Sequence, residues 1–106
     1  MTRDKRPNDY DSPVVTVLMI KLSLPGVSSL KGKRGRLQRI VTAIRQHFNV
    51  SVSEIGFNDS WQSTLLGCAM ISNDAIFNRK MADQIINMIN SNFPDELIET
   101  HSIEVW

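Results

Sequence analysis

Cysteine occurs once in these 106 residues, at position 68, and histidine twice, at His47 and His101. A lone thiol excludes an internal disulfide and suits a reducing, cytosolic compartment. No Cys-x-x-Cys or Cys/His cluster has zinc spacing, and neither histidine stands in a recognisable metal spacing. Nothing near Cys68 in sequence supplies a base, so the thiol reads as a packing residue rather than a nucleophile. Gly32-Lys33 lacks the preceding glycines of a phosphate loop, and Glu54 and Asp59 near a turn are an unspecific acid pair. The expectation is no catalytic residue, no metal, no cofactor and no enzyme.

Long apolar runs are missing too. The longest, Val14 to Leu24, is interrupted by Thr16, Lys21 and Ser23 and falls short of the roughly 20 residues of a membrane span. The opening MTRDKRPNDYDSP has no apolar signal region, so the expected location is cytoplasmic, with no membrane partner. Aromatic residues are only 7% of the chain. Tyr10, Trp61 and Trp106 fall in an arm, beside a turn and at the terminus, which gives no aromatic pair for recognising RNA on a sheet face. Trp61 either stacks on a base or partner, or caps one end of the core.

What the sequence does carry is a regular alternation of patterns. Residues 1–13 balance three basic against three acidic groups around Pro7 and Pro13 and read as a flexible arm. Val14 to Leu24 alternates as a strand, with Leu18, Ile20, Leu22 and Leu24 inward. Its other side, with Val15, Val17 and Met19, is more apolar than an ordinary solvent face and is the candidate contact of a homodimer or another partner. Pro25-Gly26 ends the strand, and Ser29 caps a helix running to Phe48. Val50 to Phe57 is a strand whose parity changes near Ser53 to Ile55, which predicts a bulge. Asn58-Asp59-Ser60 turns the chain into a second extended run ending at Ser72. Asn73-Asp74 caps a helix with Phe77, Met81, Ile85 and Met88 as its inward stripe, helped by Ala82 and Ile89. Leu97 to Trp106 is the last strand. The order β-α-β-β-α-β defines an α+β domain over 14–106, a four-stranded antiparallel sheet with both helices on one face.

Charge is distributed unevenly. Residues 1–49 hold ten basic and three acidic side chains, and residues 50–106 hold two basic and eight acidic. Six of the basic residues, Lys31, Lys33, Arg34, Arg36, Arg39 and Arg45, lie in the first helix without one acid. Clustered cations at a helix start attract phosphate, so Lys31, Lys33, Arg34, Arg36 and Arg39 are the candidate RNA or anion contacts. The alternative is a solubilising face balanced by the acidic second half. Arg34 falls between Leu30, Leu37 and Val41, so it either lays its stem over the core edge or pairs with Glu54, Asp59 or Asp74.

Short motifs in a fixed order complete this reading: Leu24-Pro25-Gly26, Ser29-Leu30-Lys31, Lys33-Arg34, Phe48-Asn49-Val50-Ser51-Val52, Trp61-Gln62, Leu66-Gly67 and Ile71-Ser72-Asn73-Asp74. Together they resemble the domain of unknown function 503, or YlxP-like, family of small bacterial proteins over about residues 14–106. The resemblance implies a ferredoxin-like fold. It also implies a link to translation, because genes of this family often neighbour those for translation and ribosome maturation. Gly32 and Gly35 stand where many relatives carry other, often charged residues.

Overall fold

The computed structural model describes residues 12–106. Alternating strands and two amphipathic helices assemble in the expected order: β1 (Val14–Ser23), α1 (Leu30–His47), β2 (Ser51–Gly56), β3 (Ser63–Ser72), α2 (Ala75–Asn92) and β4 (Leu97–Val105). All pairings are antiparallel, and the sheet order is β2-β3-β1-β4. This is the ferredoxin-like α+β fold.

Period-two alternation decides which side of the sheet is covered. Leu18, Ile20 and Leu22 of β1 and Leu66, Cys68 and Met70 of β3 face one way and are buried. Leu37, Ile40 and Ile44 of α1 and Ala82, Ile85 and Ile89 of α2 pack on them in a single core, so both helices lie on that face. Burial pushes the Cys68 thiol up to about 11, which removes it further from nucleophilic chemistry. The expected bulge is present: the β2–β3 register shifts between Glu54 and Gly56. A second shift, between Lys21 and Leu22 on β1, leaves Glu99 of β4 to pair with Lys21 at 2.9 Å.

The inward stripe of α2 differs from the expected one. Phe77 is 54% exposed, and the residue that turns inward is Asn78. Asn78, Ala82, Ile85 and Ile89 follow the i, i+4, i+7, i+11 spacing of a core stripe. A buried amide is tolerated only when bonded. Asn78 Nδ2 donates to Val14 O and to Thr16 Oγ1, both at 3.1 Å, and its Oδ1 accepts from Ser72 Oγ at 2.8 Å. It fastens the start of α2 to β1 and to the end of β3.

Candidate nucleic-acid interface

The cations of α1 separate into two sets. A core stripe of spacing i, i+4, i+7, i+11 runs through Lys33, Leu37, Ile40 and Ile44, so the fourth residue of the helix points into the protein. Lys33 is 1% exposed. Its Nζ lies 2.9 Å from Glu54 Oε2 and donates to Phe57 O at 2.6 Å. The same Glu54 oxygen accepts from Thr64 Oγ1 at 2.6 Å. Lys33 was expected among the solvent-facing cations. It is instead a buried tie between α1 and the β2–β3 hairpin.

The expectation that Arg34 sits in the seam also fails. It followed from an apolar face drawn through Leu30, Leu37, Val41, Ile44 and Phe48, of which Leu30, Val41 and Phe48 are only half-buried. With the centre on Leu37, Ile40 and Ile44, the charge in the seam is Lys33, and Arg34 turns out to water. Of the three acids expected as partners for Arg34, Glu54 holds Lys33 and Asp74 caps α2 by accepting from Ile76 N at 2.8 Å.

Arg36 is also committed. Its Nη1 donates to Pro25 O at 2.7 Å, and its Nη2 donates to Asp95 O at 3.3 Å and to the carboxylate of Glu96. Glu96, 7% exposed, was not singled out in the sequence because it lies in a short connection without pattern. One guanidinium thereby joins the β1–α1 loop to the α2–β4 loop, a task suited to its planar fork. Arg45 Nη2 donates to Val52 O at 3.1 Å.

Lys31, Arg34 and Arg39 remain. All three are exposed, and no carboxylate among the described residues pairs with them. They span nine residues, about 12 Å along the helix axis. Ser29 caps the helix through Gly32 N at 3.0 Å, and no acid occupies the first turn, so the amide end of α1 adds to the positive potential.

The hairpin held by Lys33 lies at the same end of the sheet. Phe57 has φ +59°, a left-handed conformation uncommon for a residue with a side chain. Its carbonyl is held by Lys33, and its ring lies under Lys21 Nζ, 4.9 Å from the centroid. Gln62 Nε2 donates to Val27 O, and Leu24 N donates to Gln62 O. The β1–α1 loop, the start of α1 and the Phe57–Gln62 turn thus form one braced platform. Trp61, 51% exposed, stands on that turn outside the core. Among the described residues no group of His, Cys, Asp and Glu could hold a metal ion, and no helix is long and apolar enough to cross a membrane.

A four-stranded antiparallel sheet carrying two helices and a cationic outer helix face defines a small ferredoxin-like protein. Two solved structures share that fold over most of the chain. One is the de novo designed protein Foldit4, with a TM-score of 0.52, 12% identity, and coverage of 90% of this chain and 97% of that one. The other is the NE2512 protein of unknown function from Nitrosomonas europaea, with a TM-score of 0.51, 13% identity, and coverage of 88% and 87%. At such identities the likeness concerns the fold alone. The family is specified by sequence: residues 15–102 match the model described as protein of unknown function (DUF503), and the chain belongs to that family. The uncharacterized protein YlxP of Bacillus subtilis (strain 168) is 43% identical over 67 residues, 63% of this chain and 72% of that protein.

Proposed function

We propose that this protein is a non-enzymatic, cytosolic accessory factor that contacts RNA within a ribonucleoprotein, such as a ribosome or its precursor, through Lys31, Arg34 and Arg39. The observation that carries this reading is that no carboxylate among the described residues pairs with those three cations, on a helix with no acid anywhere in its 18 residues. Guanidinium and ammonium groups spread over the outer side of one helix match the charge of a phosphate backbone, which supplies most of the affinity in non-specific recognition. Trp61, on the braced hairpin near the start of α1, adds a stacking surface for an unpaired base.

The test is titration of a fluorescently labelled, structured RNA hairpin with the full chain at several salt concentrations. Three phosphate contacts predict a log K against log salt slope of about −2 to −3. The K31A/R34A/R39A variant, confirmed as folded by circular dichroism, is expected to lose most of that slope. Absence of binding at low salt, or a slope untouched by the triple substitution, would refute the reading.

A further inference from the structure

We propose that the helix-free face of the sheet is the interface of a two-fold symmetric homodimer. The inference goes beyond RNA contact and does not rest on it, because α1 and this face lie on opposite sides of the sheet.

The register of the two central strands builds the surface. Ile71 stands beside Val15, Ala69 beside Val17, and Gly67 beside Met19, all on the side away from the core. The flanking positions are polar: Ser51 and Ser53 on β2, and Ser102 and Glu104 on β4. An apolar centre with a polar margin is the arrangement of a protein interface, and Ile71 in it is left 68% exposed.

Charge and shape single out a second copy as the occupant. Lys21 is already paired with Glu99 and laid over Phe57, so the face offers no free row of cations to a polyanion. Two copies meet there without like-charge repulsion. A depression of about 200 Å³ lies over Ala69, walled by Ser51, Ser53 and Ile55, next to the larger Val17. A half-turn about an axis between β1 and β3 exchanges the two strands. Each copy's Val17 then lies over the other's Ala69, which is the self-complementarity that a two-fold interface requires.

Area is sufficient, though small. Four strands about 4.8 Å apart, with eight or so residues each at about 3.4 Å, give roughly 500 Å² per copy and about 1,000 Å² in total, the lower bound of a specific interface. An interface at that bound belongs with the weaker, concentration-dependent ones. Both α1 helices remain on the outside of such a dimer, with their cations facing away from each other.

Sedimentation equilibrium of the full chain across the micromolar range tests this. The average mass of the native protein is expected to rise toward twice the monomer mass across that range, and Ala69→Glu, at an exposed position outside the core, is expected to weaken association at least about tenfold by placing two carboxylates in the apolar centre. Ile76→Glu, on the outside of α2, is expected to leave the dimer intact. A native protein that stays monomeric, or a dimer that survives Ala69→Glu or is lost with Ile76→Glu, would overturn the proposal. Should Ala69→Glu fail to fold, dilution of the native protein followed by methyl NMR decides. Shifts at Val17, Met19 and Ala69 support the interface, and shifts confined to α1 or α2, or none at all, overturn it.

Discussion

α1 and α2 are each 18 residues long, and in both the fourth residue is a buried polar side chain that opens the core stripe. Lys33 and Asn78 do equivalent work: each reaches out of its helix to a backbone carbonyl of the sheet or hairpin, and each has its remaining bonds satisfied by side chains. The helices part company on their outer sides. α1 carries only positive charge, whereas α2 mixes Arg79, Lys80 and Asp83 with the exposed Ile76 and Phe77. The shared inner plan belongs to the fold, and the unshared outer surface is where a function peculiar to one helix has to lie. Six basic residues in one segment are therefore not six surface charges. Burial takes one and hydrogen bonding takes two, and the remainder is the part on which recognition can act.

The largest effect is expected where that inner plan is cut. Lys33→Met keeps an apolar stem at the head of the core stripe and removes the charge, leaving the Glu54 carboxylate without its cation, with Thr64 Oγ1 as its donor, and the Phe57 carbonyl with Ser60 N alone. Losing one member of a buried pair costs roughly 3–5 kcal/mol. Chemical denaturation should show a midpoint shift of that size, and the double variant K33M/E54L should recover much of it, because replacing both partners removes the unpaired charge. If Lys33→Met instead abolished RNA binding while stability held, the division of the helix into an inner and an outer set would fail.

How far the chain could be read before its structure was known follows the same division. The six elements, the bulge near Ile55 and the inward side of β1 rest on strong periodicity, and each stands where the pattern placed it. The two stripes were misjudged for one reason. Apolar periodicity passes over the polar residue at the head of each stripe, so it draws the inward face of α1 from Leu30 rather than Lys33 and that of α2 from Phe77 rather than Asn78. Apart from Ser72, six positions before Asn78, the partners that make Lys33 and Asn78 acceptable inside lie 21 or more positions away, Glu54 and Phe57 for the first and Val14 and Thr16 for the second. Local pattern contains no trace of such partners. One signal was available: the i, i+4, i+7, i+11 spacing from Lys33 fits the core stripe better than that from Leu30. Arg36 and Glu96 had no comparable signal, since a loop acid 60 residues distant leaves no periodicity.

A smaller change sharpens the comparison from the outside. Gly35 lies on the exposed side of α1, and a methyl group added there meets nothing within 4 Å. The fold does not require glycine at that position. Gly35→Ala should stabilise the protein by about 0.5–1 kcal/mol through helix propensity alone, measurable as a raised thermal midpoint. If RNA affinity falls in the same variant although every cation is retained, the phosphate backbone approaches the helix itself, and the glycine serves that approach.

The smallest effect is expected on α2. Arg79→Ala/Lys80→Ala removes two exposed cations from a molecule whose net charge is only +1, so a response driven by overall charge would register there about as strongly per charge as on α1. Geometry argues against one. Asp83 lies one turn from Arg79 and offsets its potential, whereas α1 has no acid to do so. Lys31 and Arg34, three residues apart on an acid-free helix, reinforce each other instead. RNA affinity should therefore change by less than about twofold in the α2 variant, with the salt slope preserved. A loss equal to that of the α1 triple variant would mean that RNA responds to the general field of the protein, and the cationic helix would then be a solubilising surface.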